Sequence, residues 1–115
     1  MQENTKIMNY YEHTYITAPE LNNQELETIR KKINEILEKN ASKIVREEDW
    51  GVRTLAYQIK KNSKGKYNNI YIEGNNKVIK EIENFERYEE KILKFLSIKI
   101  KKIPEENSEL TKTTL

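Results

Sequence analysis

Residues 47–61 read EEDWGVRTLAYQIKK, and this run sets the architecture of the chain. Its second half alternates apolar residues with small or polar ones, which is the pattern of a half-buried strand. After the polar residues 62–65, predicted as a turn, residues 67–72 (YNNIYI) again have the composition of a strand. Together these segments predict one long β-hairpin over residues 43–73. The glycine of Trp50-Gly51 predicts a bulge or bend within its first arm.

The flanking segments supply two more strands and two helices. Asn22 followed by Glu25 forms a capping box, the pattern with which helices begin. The predicted elements are a strand over residues 8–17, a helix over 22–40, the hairpin, a helix over 75–90 and a strand over 92–103. Apolar residues at helical or alternating spacing predict a core formed by Leu26, Ile29, Ile33, Ile36, Ile72, Ile82, Leu96 and Ile98.

The element order β-α-β-β-α-β indicates an α+β, ferredoxin-like fold. Right-handed crossovers give a four-stranded antiparallel sheet of order 4-1-3-2, with both helices on one face and the long β2-β3 hairpin at an edge. We expect one domain over residues 1–103 and a disordered tail over residues 104–115. This arrangement leaves one sheet face open for partners.

Composition excludes several kinds of site. The 115 residues include no cysteine, which rules out disulfides, thiolate metal sites and cysteine nucleophiles. The net charge is only +2, but the tail from Pro104 carries −2, so the remaining body carries +4. The sequence shows neither an export signal nor a membrane-spanning segment.

Catalysis has little support in the sequence. The one histidine, His13, lies in the middle of the first predicted strand, where a structural role, buried or half-buried with one hydrogen bond, is expected more than a catalytic or metal-binding one. Acylphosphatase-like enzymes share this fold, but the loop after the first strand, residues 17–20, is not a phosphate-binding loop. We therefore predict no catalytic residue, no metal and no cofactor.

Charged residues cluster on the hairpin. Five cations and no acid lie between Arg53 and Lys66, which favours contact with phosphates over a merely solvated hairpin end. For the acidic run at residues 47–49, a solvated strand edge that discourages aggregation is favoured over a binding site for a metal or a basic partner. Trp50 either covers the end of the core or stacks on a base.

Residues 64–71 (KGKYNNIY) partly fit the third-strand signature of RNA-recognition motifs, which share the β-α-β-β-α-β order. Lys66 stands where the first aromatic residue should be, and Asn68 and Asn69 replace the small residue and the stacking aromatic. A free RNA-recognition-motif-like protein that binds single-stranded RNA is therefore the alternative interpretation.

Three stretches are similar to the bacterial small-subunit ribosomal protein six family. The first is Tyr11-Glu12-His13 with Pro19. The second is the run at residues 48–61, followed by GKY at 65–67, in which an acid, Trp-Gly, a basic residue, Leu-Ala-Tyr, an apolar residue and lysine follow one another as in the family. The third is RYEE at 87–90 followed by ILKFL at 92–96. The similarity extends over about residues 9–101.

The resemblance implies a ferredoxin-like, non-catalytic assembly protein of the small ribosomal subunit, in the cytoplasm of a bacterium or in an organelle. Such proteins bind the central domain of small-subunit ribosomal RNA, on the platform, and pair with small-subunit ribosomal protein eighteen. From charge, the predicted RNA-binding residues are Arg53, Lys60, Lys61, Lys64, Lys66 and Arg87. The residues predicted to contact the protein partner are Glu47, Glu48, Asp49, Tyr57 and Tyr71.

Overall fold

The computed structural model of the protein describes residues 8–105. Its elements are β1 (Asn9–Thr17), α1 (Asn23–Lys39), β2 (Lys43–Ile59), β3 (Asn62–Gly74), α2 (Asn76–Arg87) and β4 (Ile92–Ile100). The predicted element order is confirmed, but α2 and β4 each end three residues earlier than predicted. Most of the predicted tail, residues 106–115, lies outside the described residues.

The four strands form one antiparallel sheet of order β2-β3-β1-β4, as predicted. Both helices pack on the same face, where Ile33 of α1 and Ile82 of α2 share one core with Ile72 of β3. The helix starts are those that the sequence predicts. The Glu25 amide donates to Asn22 Oδ1 at 2.8 Å, the Asn22 amide donates to Glu25 Oε1 at 3.1 Å, and the Val78 amide donates to Asn75 Oδ1 at 3.0 Å.

The predicted core is mostly confirmed. Its residues in α1, α2 and β3 are buried, apart from the half-buried Leu26. The prediction was wrong for Leu96 and Ile98, whose exposed fractions are 59% and 48%. These residues pair with Thr14 and Glu12 of β1 and therefore lie on the face that the helices leave uncovered. Alternation shows that a strand has an apolar side, but it does not show which side the helices cover.

Three irregularities interrupt the pairing of β2 with β3. Val45 and Trp50 each have no partner in the ladder. Residues 55–58 lie between the pairs Thr54–Lys64 and Ile59–Asn62 and face only Ser63 on β3. Gly51, with φ of 74°, provides the left-handed backbone at the second irregularity. The bulge predicted at Trp50-Gly51 is therefore confirmed.

The hairpin turn lies at Lys60 and Lys61, whose φ angles are 50° and 68°. The turn predicted at residues 62–65 was wrong, because β3 already begins at Asn62 and Gly65 pairs with Arg53 inside the sheet. A two-residue turn with two positive φ angles ordinarily uses asparagine or glycine, so a lysine pair gives no signal in the sequence. Gly65 instead provides close packing, since a Cβ at that position would collide with the Ile16 side chain.

Candidate interface for RNA and protein

The uncovered face of the sheet forms an apolar trough of about 370 Å³. Its floor is the side of β1 that carries Glu12, Thr14 and Ile16. One wall comes from Leu96 and Ile98 of β4, and the other comes from the hairpin. The trough is lined by Glu12, Thr14, Ile16, Trp50, Leu55, Ala56, Tyr57, Ile59, Tyr67, Lys94, Phe95, Leu96 and Ile98. Contiguous exposed apolar side chains of this kind mark sites where a partner binds.

The bulge at residues 55–58 closes one end of the trough. It places Leu55 in a small cluster with Ile16 and Leu93, apart from the main core. Tyr57 remains 61% exposed, and its hydroxyl accepts a hydrogen bond from Lys94 Nζ at 2.9 Å, with the ammonium 5.3 Å from the ring centre. This hydrogen bond raises the pKa of Lys94.

Lys60 attaches the turn to the beginning of β4. Its Nζ donates to the carbonyl oxygens of Ile92 and Glu90, at 3.1 and 3.3 Å. The end of the hairpin is therefore held against the sheet and does not project freely. Lys60 was predicted as a phosphate contact, and in the structure its ammonium group already has two acceptors.

Polar side chains form a network on the floor of the trough and beside it. The Thr14 hydroxyl donates to Asn69 Oδ1 at 2.7 Å, and the Tyr71 hydroxyl lies 3.4 Å from Glu12 Oε2. Tyr71 and Asn69 are both buried. Burial raises the pKa of Tyr71, and the negative charges of Glu12 and Glu48 raise it further. Tyr71 therefore contributes a neutral hydroxyl to this face.

The acidic run at residues 47–49 is paired within the chain. Glu47 accepts a 2.6 Å hydrogen bond from Arg30 Nε, and Asp49 accepts one of 2.9 Å from Lys66 Nζ. Glu48 is 4% exposed and accepts a 2.9 Å hydrogen bond from the Trp50 indole. A basic partner would have to compete with these contacts, so docking through the acidic run stays a prediction.

The predicted RNA-binding cations do not form one patch. Arg53 lies on the open face, where its Nε donates to the Trp50 carbonyl at 3.0 Å. Lys64 and Lys66 alternate with Gly65 and so lie on the other side of β3. Arg87 is the last residue of α2, with its guanidinium 5.9 Å from the centre of the Phe95 ring. Lys61 and Lys64 are exposed and have no ion pair or side-chain hydrogen bond with another of residues 8–105.

The sequence model of one protein family, described as ribosomal protein S6, matches residues 10–99. The chain belongs to the ribosomal protein S6 family. The family prediction made from the Trp-Gly-x-Arg-x-Leu-Ala-Tyr run is thereby confirmed. The match covers all six elements apart from the first residue of β1 and the last residue of β4.

Individual S6 proteins agree with this assignment. The small ribosomal subunit protein bS6 of Pelagibacter ubique is 40% identical over 95 residues, which cover 83% of this chain and 78% of that protein. The bS6 protein of Geobacter metallireducens is 37% identical over 92 residues, which cover 80% of this chain and 78% of that protein. The crystal structure of 30S ribosomal protein S6 from Thermotoga maritima superposes with a TM-score of 0.73 and 30% identity, covering 82% of this chain and 89% of that one. The predicted ferredoxin-like fold is thus the fold of a solved S6 protein.

Beneath the helices, this S6-family chain contains a buried ionisable pair that the sequence analysis only half identified. His13 is fully buried, as predicted, and its two ring nitrogens lie 2.7 Å from Glu86 Oε2 and 2.7 Å from Ser97 Oγ. Burial raises the pKa of Glu86, and the hydrogen bond from His13 opposes this shift. Glu86 is 73 residues away from His13 in the sequence and occupies an apolar position of α2. The one signal in the sequence is an acidic residue at a helix position where an apolar residue is expected, which indicates a buried hydrogen-bond partner.

Residues 8–105 show neither a metal centre nor a membrane-spanning helix. Residues 8–105 contain no group of three or more histidine or acidic side chains arranged to hold a metal ion. Neither of the two helices in that range is long and apolar enough to cross a membrane.

Proposed function

We propose that this chain is a structural component of the small ribosomal subunit that binds small-subunit ribosomal RNA, in the central domain on the platform, together with small-subunit ribosomal protein eighteen. The family match over residues 10–99 supports the place in the subunit, because its relatives are named as small-subunit ribosomal proteins. The observation that carries the partnership is the uncovered apolar trough. A side of the sheet with Leu96, Ile98 and Tyr57 exposed is suited to a second macromolecule.

The RNA contact is assigned to exposed cations around the hairpin and the end of α2. Lys61 and Lys64 are exposed at or beside the turn, and Arg87 is exposed in the last turn of α2. Lysine ammonium groups on flexible side chains bind phosphates as point charges and do not read bases. A body charge of +4 neutralises few phosphates, so RNA affinity of the chain alone is weak and salt-dependent.

The protein contact is assigned to the trough, with Tyr57 at its end and the buried Tyr71 supporting its floor through the hydrogen bond to Glu12. An apolar surface excludes water on contact and adds affinity that scattered cations do not provide. The free RNA-recognition-motif-like function has less support. Tyr71 is only 4% exposed, so it is not available for the base stacking on which that function depends.

The test is sedimentation with small ribosomal subunits in high salt, followed by titration of central-domain RNA with and without small-subunit ribosomal protein eighteen. Replacing Lys61 and Lys64 with Ala should weaken binding to all RNA sequences alike. It should also reduce the slope of log affinity against log salt by roughly 1.5, since each lost phosphate contact is worth about 0.7–0.9.

The control replaces Lys31 and Lys32 on α1, which are also exposed, and should leave both quantities unchanged. Tight RNA binding by the chain alone, or failure to sediment with the subunit, would contradict the proposed function.

A further inference from the structure

Glu12 is an acidic side chain on the floor of the otherwise largely apolar trough. It is half-buried and lies opposite Ile98 of β4. Within residues 8–105 its carboxylate has one hydrogen bond, of 3.4 Å, from the Tyr71 hydroxyl. A carboxylate offers about four acceptor positions, and a single long hydrogen bond at a half-buried position leaves most of its interaction capacity unused.

No lysine or arginine of residues 8–105 forms an ion pair with this carboxylate. Arg46, on the same face beyond Tyr71, has its Nε 3.6 Å from Glu48 Oε2. Lys94, the trough lysine, pairs opposite Ile16, four residues or roughly 13 Å along β1 from Glu12, and its ammonium is bonded to Tyr57. Arg53 bonds the Trp50 carbonyl at the hairpin. Glu12 therefore differs from the acidic run at residues 47–49, whose members are each bonded within the chain.

An incompletely hydrogen-bonded carboxylate beside exposed apolar side chains favours a protein segment as the occupant of the trough. A phosphate backbone would be repelled by Glu12 and would gain nothing from Leu96 or Ile98. A lysine or arginine side chain would supply the charge-assisted hydrogen bonds that Glu12 lacks. Its neighbours on the same segment could cover the exposed apolar wall.

We propose that Glu12 receives the lysine or arginine side chain of an extended segment of a partner protein, whose large apolar side chain enters the trough beside Leu55 and Leu96. The inference rests on the proposed function, which supplies a protein partner, and adds the chemistry by which that partner is recognised. Along β1, Glu12 and Ile16 face the same side, four residues apart. An extended segment also places residues i and i+4 on one side at a similar separation, so the predicted pattern is a cation and a large apolar residue four positions apart.

The test is a nuclear magnetic resonance titration of the full, isotope-labelled chain with a synthetic peptide. The peptide has nine residues, threonine and serine except for arginine at the third and leucine at the seventh position. The control peptide moves leucine to the sixth position, which sends the two side chains to opposite sides of an extended chain. The first peptide should shift the amide signals of β1 and β4, and the control peptide should bind several-fold more weakly.

The Glu12→Gln variant keeps the shape of the side chain and removes its charge. It should weaken the first peptide about tenfold, as expected for loss of a charge-assisted hydrogen bond. Glu35→Gln, on the exposed side of α1, makes the same charge change away from the trough and should have no effect.

Four results would overturn the inference: equal binding of both peptides, equal binding by the Glu12→Gln variant, no binding of either peptide at millimolar concentration, and displacement of the peptide by oligouridylate. Self-association of the chain through the trough, seen by analytical ultracentrifugation, would also overturn it by assigning the face to a second copy. Sedimentation of the Glu12→Gln variant with small subunits separates the two proposals. If that variant still sediments while peptide binding fails in any of these ways, the proposed function stands and the role of Glu12 is wrong.

Discussion

The two faces of the sheet use the same four strands and differ in how completely their side chains are satisfied. On the face covered by the helices, Ile33, Ile72 and Ile82 are at most 1% exposed, and the imidazole of His13 is hydrogen-bonded to the carboxyl group of Glu86. On the open face, Leu96 and Ile98 are about half exposed, and Glu12 keeps one long hydrogen bond. Most buried polar side chains of the covered face are hydrogen-bonded, although the Thr17 hydroxyl has no partner within residues 8–105. The open face has both apolar surface and a charged group available to a partner.

This difference separates residues that stabilise the fold from residues that are available for binding. A buried apolar side chain contributes to the free energy of folding because its surface is already removed from water. An exposed one contributes to the free energy of association, and only when a partner covers it. Substitutions on the covered face should therefore change unfolding. Substitutions on the open face should change association and leave unfolding almost unaltered.

The largest effect is expected for His13→Ala. Removing the ring leaves a cavity and leaves the buried Glu86 carboxyl group without its hydrogen-bond partner, which together cost about 3–5 kcal/mol of unfolding free energy. Urea denaturation at neutral pH measures this loss. Ser97→Ala removes only the hydrogen-bond partner of Nδ1 and should cost about 1 kcal/mol. If His13→Ala costs no more than Ser97→Ala, the buried pair does not stabilise the covered face.

The faces can be compared directly through two isoleucines. Ile33→Ala on the covered face should cost about 2–5 kcal/mol, because it removes buried methyl groups and leaves a cavity. Ile98→Ala makes the same chemical change on the open face and should cost less than about 1 kcal/mol. Denaturant melts of both variants give the two values. Similar losses would mean that the open face is already packed in the free protein.

The smallest effect concerns pH and comes from Glu86. Burial raises the pKa of this carboxyl group in the folded protein above its ordinary value of 4.5. The folded state then holds the proton more tightly than the unfolded chain, so the contribution of Glu86 to stability is present at low pH and is lost as pH rises through the folded pKa. Relative to Glu86→Gln, the wild-type chain should become less stable as pH increases from 4. A difference that grows in the opposite direction would show that the hydrogen bond from His13 outweighs burial.

The sequence predicted the fold well because its signals are local. Capping residues such as Asn22 and Asn75 act within three residues, and alternation in β1 places Tyr11, His13 and Tyr15 on one side as observed. The errors come from features that are not local. The bulge at residues 55–58 interrupts the alternation from which the pairing of the two hairpin arms was predicted. The left-handed turn uses two lysines, which give no turn signal.

The candidate site was predicted less well, for a related reason. Charge identifies which residues can meet a phosphate, but not which are already bonded, as Lys60 and Lys66 are. The acidic run drew attention because three acids are adjacent in the sequence. Glu12 is an isolated acid in the sequence, so charge patterning does not single it out. Its place in an apolar trough is visible only in the folded sheet, where it lies opposite Ile98.

The irregular pairing of β2 has a consequence for solubility. With the order β2-β3-β1-β4, this 17-residue strand lies at an edge, where its outer backbone groups could template a strand from another molecule and start a fibril. Its ladder with β3 contains no regular run longer than four residues, because Val45, Trp50 and residues 55–58 interrupt it. An incoming strand would meet a kinked and twisted edge on which it could form only short stretches of hydrogen bonds. The bulges that shape the hairpin thus also protect the longest edge of the sheet from aggregation.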